Sequence, residues 1–415
     1  MTANVIPPQS GGRRSTNIKK ESTPGTPAAG AWETLRATGG SGVVGDVSTT
    51  ESAELTGTSS LGLQDVIRTG EKANADYNFE LSYAATANAP FEYFMESALG
   101  GEWGDDTANR LIPGTKVLTL SVEDIFNDIS KVQSVQSAIV SSFQLNITAG
   151  ELVTGSVSLM GATYNVGTPT AIAGTPTFSV ANGNELTPDS GSVPSSAVVG
   201  ATVRITASDD DSDIGYYKIT AVSSNTVTVD GSLTNGSTKA MTVLYSSSSI
   251  QGATPSAASA NEPFLAGDVL AVEITTDGGT TWRDSLDWGF RIPSMNITIN
   301  NELAELREVT LTEAYAMRPV KRVVDVNVDY HLLDTYPMEL LTAGTEIGIR
   351  VQMIDSMGTS AATGNKYIFT FPAVKTVAAT AGDASLGSEM VGSWSLKALL
   401  NSSDVDVQVD RTDAT

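Results

Sequence analysis

The chain has 415 residues, 24 Lys+Arg against 47 Asp+Glu, a formal net charge of −23, no cysteine and one histidine, His331. These counts exclude disulfides, thiol nucleophiles, Cys/His zinc sites and any Ser-His-Asp triad that does not use His331. The acid excess argues against general nucleic-acid binding, which needs clustered Lys and Arg, and the length allows about two to three domains.

Residues 1–36 are rich in Pro, Gly, Ser and Thr and lack apolar periodicity, so an extended N-terminal arm is expected. Residues 1–40 carry Arg13, Arg14, Lys19, Lys20 and Arg36 against Glu21 and Glu33, a net of 5 − 2 = +3 that leaves −26 on the rest. Such a basic arm is either a solvated tail or a segment that docks on the acidic surface of a neighbouring copy. Met1 to Ser10 has no apolar signal core, and no run approaches the roughly 20 apolar residues of a membrane span. The protein is therefore expected to stay in the compartment where it is made, without a membrane partner. Residues 37–75 are polar and glycine-rich, a long connection of the kind that gains order on assembly.

Strand signals follow. Phe79, Leu81 and Tyr83 alternate, as do Phe143, Leu145 and Ile147, then Val153, Val157 and Leu159. Later come Met295, Ile297 and Ile299; Val324, Val326, Val328 and Tyr330; Ile347, Ile349 and Val351; Tyr367, Phe369 and Phe371; and Val405, Val407 and Val409. This period of two makes the body all-β in class. Helical spacing occurs over Phe91, Phe94, Met95, Ala98 and Leu99, with Pro90 at the first turn and Gly100 as the stop. A shorter helix is expected from Pro337 through Met338, Leu340 and Leu341 to Gly344. Both follow similar strands, Asp76-Tyr77-Asn78-Phe79-Glu80 and Asp325-Val326-Asn327-Val328-Asp329. They read as a duplicated strand–helix unit or as a chance match of two short segments.

Residues 166–262 open and close with linker-like stretches and carry 3 Lys+Arg against 8 Asp+Glu. Their own alternation, Val203/Ile205, Tyr217/Ile219 and Val227/Val229, predicts a small β-barrel inserted into the main domain. The expected division is an arm over 1–36, a β domain over 37–165 and 263–415, and the insertion between.

Few motifs suggest chemistry. Asp209, Asp210, Asp211 and Asp213 could supply oxygens to a hard cation, but the spacing of a calcium loop is missing and a solvated turn fits better. Thr275 to Trp282 fits an Asp-box hairpin, a structural turn in which Asp277 caps, Gly279 takes positive φ and Trp282 packs. His331 lies in a strand-like segment and reads as structural. No catalytic residue, metal ligand or cofactor site is expected, and no phosphate-binding loop is present.

In order, the segments TLRATGG (34–40), TTESAEL (49–55), DVIRTG (65–70), NFELSYAA (78–85), FMESALGGEW (94–103), LVTGSVSLMGAT (152–163), GNKYIFTFPAVK (364–375) and VGSWSLKALL (391–400) resemble the tail tube, or major tail, proteins of long-tailed siphophages. The resemblance implies a β-sandwich or tube-forming barrel with one or two short flanking helices. It also implies self-assembly into hexameric rings stacked as the conduit for genome ejection, in a virion assembled in the host cytoplasm. The implied partners are the tape measure, tail terminator and distal tail proteins, with DNA passing without specific binding. Six copies would carry 6 × −23 = −138, and an acid-lined wall would repel duplex DNA. Arg13, Arg14, Lys19 and Lys20 of the arm, and Glu51, Glu54 and Asp65 of the loop 41–70, are then expected to join subunits. The competing readings are a pilus-like or surface β-sandwich adhesion protein, a carbohydrate-binding module or hydrolase, and a tail terminator.

Overall fold

The computed structural model describes residues 11–412 apart from 28–31, 52–65, 84–89, 108, 127–128, 130, 168–176, 181, 190–192, 194–201, 209, 211–212, 214, 230, 244–262, 267–268, 290, 309–315, 332, 355–364 and 383–389. Three assemblies of strands occur in chain order. The first comprises β1 (Arg14–Thr23), β2 (Thr26–Pro27), β3 (Glu33–Leu35), β4 (Ala37–Glu51), β5 (Val66–Glu80), α1 (Pro90–Leu99), β6 (Arg110–Leu111), β7 (Leu120–Phe126), β8 (Lys131–Thr148), β9 (Thr154–Gly161) and β10 (Thr163–Gly167). The second comprises β11 (Thr177–Val180), β12 (Glu185–Pro188), β13 (Thr202–Ala207), β14 (Gly215–Val222), β15 (Val227–Val229) and β16 (Gly236–Val243). The third comprises β17 (Val269–Thr275), β18 (Arg283–Asp284), β19 (Arg291–Leu306), β20 (Ala316–His331), α2 (Tyr336–Ala343), β21 (Glu346–Ile354), β22 (Lys366–Thr380), β23 (Val391–Ala398) and β24 (Gln408–Thr412).

The class is all-β with two short helices, because the alternating residues bury one face of each strand. Phe79, Phe143, Leu145, Val157, Ile297, Val326, Val328, Phe369, Trp394 and Val409 all belong to one core, and each large side chain removed from water contributes roughly 1.5–3 kcal/mol. α1 forms where the spacing predicts and stops at Gly100, whose φ of +67° suits glycine. α2 ends the same way at Gly344, whose N–H donates to Leu340 O. β11 to β16 close into a separate barrel with its own core of Phe178, Leu186, Ile205, Ile219 and Val227. Asp213 is buried there and accepts from Thr234 N at 2.9 Å, so this carboxylate braces a turn of the barrel.

The first and third assemblies repeat one another. The pairings β4–β5, β5–β9, β9–β8, β8–β10, β8–β7 and β7–β1 are matched by β19–β20, β20–β23, β23–β22, β22–β24, β22–β21 and β21–β17. Local sequence follows suit: Gly155-Ser156-Val157-Ser158-Leu159 in β9 corresponds to Gly392-Ser393-Trp394-Ser395-Leu396 in β23. β8 bulges between Val140 and Ser142 against β9, and β22 bulges at the equivalent place, between Thr376 and Ala378, against β23. Each glycine lies under an aromatic ring: a Cβ on Gly155 would sit 2.4 Å from Phe79 Cζ, and one on Gly392 2.7 Å from Tyr330 Cζ. Hence Phe79 corresponds to Tyr330, and Asp76 to Asn327. The similarity noted between Asp76–Glu80 and Asp325–Asp329 is out of step with this register by two residues. The two units join through β8 and β19, which pair antiparallel from Ser294↔Thr148 to Asn300↔Ser142.

The expected extended arm over 1–36 is corrected for its described part. β1 lies antiparallel to β3 on one edge and β7 on the other, with Thr16, Asn17, Ile18 and Lys19 buried. Its polar sequence has no apolar period because pairing on both edges, not an apolar stripe, sets its place. Deleting residues 1–30 would therefore remove an internal strand, not a detachable tail.

Candidate functional site

The continuous sheet β4-β5-β9-β8-β19-β20-β23-β22 has the core on one side. Residues directly opposite one another share a face, so its other side follows from the register. One row across it runs Asn78, Ser156, Gln144, Thr298, Asp325, Lys397. The next runs Glu80, Thr154, Asn146, Asn296, Asn327, Ser395, Ala378. A third runs Thr148, Ser294, Asp329, Ser393, Thr380. Asn78, Asn327, Asp329, Ser393 and Thr380 are exposed.

These side chains bond to one another along the face. Gln144 Nε2 donates to Asn146 Oδ1 at 3.0 Å, Thr298 Oγ1 to Asn296 Oδ1 at 2.7 Å, and Ser294 Oγ to Asp329 Oδ2. Asn296 Nδ2 also donates to Asn146 Oδ1. The formal charges include Asp46, Asp76, Glu80, Glu302, Asp325 and Asp329 against Lys72, Lys321, Lys375 and Lys397, with Lys397 Nζ 3.6 Å from Asp325 Oδ1 and Lys72 Nζ 3.4 Å from Asp46 Oδ2. The face is thus a hydrated layer of amides and hydroxyls with a modest acid excess, fewer carboxylates than the overall charge suggests. Among the described residues no group of His, Cys, Asp or Glu is arranged to hold a metal ion, and no helix is long and apolar enough to cross a membrane.

Two edges of this sheet are open among the described residues. Beyond Val43, β4 pairs only with β5, and Val44 and Val47 are 47% and 43% exposed. At Val43 the outward N–H is satisfied by Asp124 Oδ2 at 2.7 Å, a carboxylate that also accepts from Thr16 Oγ1 at 2.6 Å. At the other end, residues 376–380 of β22 pair only with β23, and Val377 is 51% exposed.

α1 fastens the two units to each other. Asn301 Nδ2 on β19 donates to Ala98 O and to Val140 O, both at 2.9 Å. Arg322 on β20 donates to Leu99 O at 3.0 Å while its fork holds Asp406 at 3.0 and 3.1 Å. Buried Glu92 of α1 accepts from Arg411 of β24 at 2.5 Å. None of these contacts was foreseen from sequence, since each joins residues more than 80 positions apart.

The residues expected to act in assembly are distributed as follows. Arg13 ends a short 3-10 turn, Gly11–Arg13. Arg14 opens β1, donates to Gly40 O at 3.2 Å and lies 5.9 Å from the centre of the Tyr77 ring. Lys19 is buried. Lys20 Nζ binds Glu96 at 3.0 Å and Glu102 at 2.5 Å. Burial disfavours its charge, yet the bonds to Glu102 and Glu96 outweigh this and raise its pKa. Arg14 and Lys20 thus have partners inside their own chain. Glu51 ends β4 opposite Val66, whereas Glu54 and Asp65 lie outside the described residues.

The turn after β17 places Asp277, Gly279 and Trp282 together. Asp277 Oδ1 accepts from Thr275 Oγ1 at 2.6 Å and Thr281 N at 2.9 Å, Gly279 has φ +90°, and Arg350 stacks 4.6 Å from the Trp282 ring centre. Those bonds, from Thr275 first and Thr281 second, lower the Asp277 pKa from 3.8 to about 2. A folded pKa below the unfolded one stabilises the turn above the unfolded value, and that stabilisation is lost as pH falls through about 2. The Asp277 carboxyl carbon should therefore titrate by NMR with a midpoint of about 2, and a midpoint of 3.8 would contradict this hydrogen-bonded turn.

The sequence matches the family described as phage tail tube protein over residues 11–235. One solved structure similar to the chain is titled "Cryo-EM structure of the anti-feeding prophage (AFP) baseplate, 6-fold symmetrised"; identity is 8%, the TM-score 0.27, and the match covers 39% of this chain and 97% of that one. No curated protein matches the sequence. With more than half of its length matched, and with an all-β body whose second unit repeats the strand pairing of the first, the chain belongs to the phage tail tube protein family.

Proposed function

We propose that this chain is the wall subunit of a siphophage tail tube, a non-catalytic protein that forms stacked rings with sixfold arrangement and conducts the genome out of the capsid. The carrying observation is the broad sheet with a polar face and, among the described residues, an open edge at each end. Exposed edges are an aggregation hazard in a monomer and are blunted or covered; here they suit a sheet completed by neighbours. Head-to-tail contacts of this kind close into rings, and rings stacked through other surfaces make a tube.

In this reading the face of Asn, Ser, Thr and Gln lines the lumen. Duplex DNA carries about one negative charge per 1.7 Å of its axis. Among the described residues, a wall with a slight acid excess and no basic cluster does not bind phosphates, and its exposed apolar side chains, such as Val44, are interspersed among amides and hydroxyls. Tape measure, terminator and distal tail proteins are the partners at the bore and the ends. The division into a split tube domain with an inserted barrel over 166–262 belongs to the same proposal, and the barrel is then an outward appendage of the wall. The arm residues Arg13, Arg14, Lys19 and Lys20 and the loop residues Glu51, Glu54 and Asp65 stay in the proposal as contributors to contacts between copies or rings. Negative-stain electron microscopy of the purified protein should show hollow rings or long tubes. A monomer that stays monomeric across concentrations and salt would refute the reading.

A further inference from the structure

The junction between the two units inside one chain is also a template for the junction between chains. In the first unit, the second half of β8 is covered on its outer edge by β19, the first strand of the next unit's hairpin. In the second unit, the equivalent half of β22, residues 376–380, has the same bulge and the same partner strand but no strand on that edge among the described residues. Burial records the difference: Val140 and Phe143 of β8 are fully buried, whereas their counterparts in β22, Thr376 and Ala379, are only half-buried. The helices agree. α1, which packs against β8 and β19, buries every residue from Phe91 to Leu99, while α2, which packs on β22, buries only Pro337 and Leu340. The strand that corresponds to β19 is β4, and its outer edge is open beyond Val43.

We propose that β4 of one copy pairs antiparallel with residues 376–380 of β22 in the next copy, in the register that β19 takes on β8 within the chain. The correspondence through β9 and β23 matches Gln144, Phe143 and Ser142 with Thr380, Ala379 and Ala378. The correspondence through β5 and β20 matches Thr298, Ile299 and Asn300 with Val44, Gly45 and Asp46. Since Thr298 faces Gln144 and Asn300 faces Ser142, Val44 faces Thr380 and Asp46 faces Ala378 across the seam. Asp124, which already satisfies the Val43 N–H, marks where the added ladder ends. This seam rests on the tail tube reading and refines it: each chain supplies two sheet units, so a ring of six units holds three chains and not six.

The absence of cysteine makes the register directly testable. Opposed residues of an antiparallel pair are about 4.5–5.5 Å apart at Cα, within disulfide range. The double variant Val44→Cys/Thr380→Cys, oxidised after assembly, should form disulfides between chains and yield closed covalent rings of three chains by mass. The pair Asp46→Cys/Ala378→Cys should do the same, and both use side chains outside the core. Gln144→Cys/Thr298→Cys should give the equivalent bond within one chain. Rings or tubes that form but show no interchain bond with either pair would overturn the seam while leaving the tail tube reading intact. Covalent rings of six chains would overturn the two-unit wall. Failure of the unaltered protein to assemble would overturn both.

Discussion

Replacing Arg411 by alanine should destabilise the main body by about 3–5 kcal/mol, the cost of removing one member of a buried ion pair. Glu92 is 2% exposed at its side chain and Arg411 10%, with 2.5 Å between Oε1 and Nη1. Arg411 also donates to Asn109 Oδ1 at 3.0 Å and lies 5.6 Å from the centre of the Trp103 ring. Burial opposes its charge, but the hydrogen bond to Glu92 prevails and holds its pKa above the ordinary value. Removing the guanidinium takes the charged donor away from Glu92, and the neutral Tyr367 Oη, at 3.4 Å, does not replace it for an ion in the core. All five tryptophans, at 32, 103, 282, 288 and 394, lie outside the inserted barrel, so tryptophan fluorescence during urea unfolding follows the main body alone. Arg411→Ala should lower the midpoint strongly. Glu92→Leu/Arg411→Leu should recover much of the loss, because it removes both charges. An unchanged midpoint for the single variant would mean that α1 is not held by this pair.

That ion pair also shows what sequence could not disclose. The apolar alternation in Phe79 to Tyr83, Met295 to Ile299 and Val324 to Tyr330 was sufficient for strands and for the side that faces the core, because both follow from neighbours two residues away. The polar face was legible as the other half of that alternation, in Asn296, Thr298, Asn327 and Asp329. The order of strands was not, since β8 meets β19 across about 150 residues and nothing local marks an edge. β1 was misread for the same reason. Its single large aliphatic, Ile18, is fully buried by pairing with strands that lie 15 and more residues away. The duplication was visible, but in the wrong segment: Asp76–Glu80 resembles Asp325–Asp329 out of register, whereas Gly155–Leu159 and Gly392–Leu396 carry it in step, each glycine fitted to a ring above it.

Ala379→Pro should abolish ring and tube formation while leaving the monomer folded. The Val43 N–H points away from β5, toward Asp124, and backbone direction alternates along a strand, so Gly45 also presents its N–H and C=O outward. Its partner across the proposed seam is Ala379, placing this pair in the middle of the added ladder and exchanging both of its hydrogen bonds. Proline at 379 removes one donor and puts a ring where the incoming strand must lie. In this register residue 379 turns its N–H toward the incoming strand and residues 378 and 380 turn theirs toward β23, so the sheet of the monomer keeps its ladder. An acceptor left unsatisfied in a closed interface costs about 1–3 kcal/mol, roughly 5- to 150-fold in affinity at each seam. Because every seam of a closed ring carries the same lesion, the deficits multiply and rings should vanish at concentrations where the unaltered protein is fully assembled. Ala379→Ser, which keeps the N–H and nearly the same volume, should polymerise normally. Tubes from the proline variant, with fluorescence and circular dichroism like those of the unaltered chain, would show that β22 does not receive a strand and that the chains meet elsewhere.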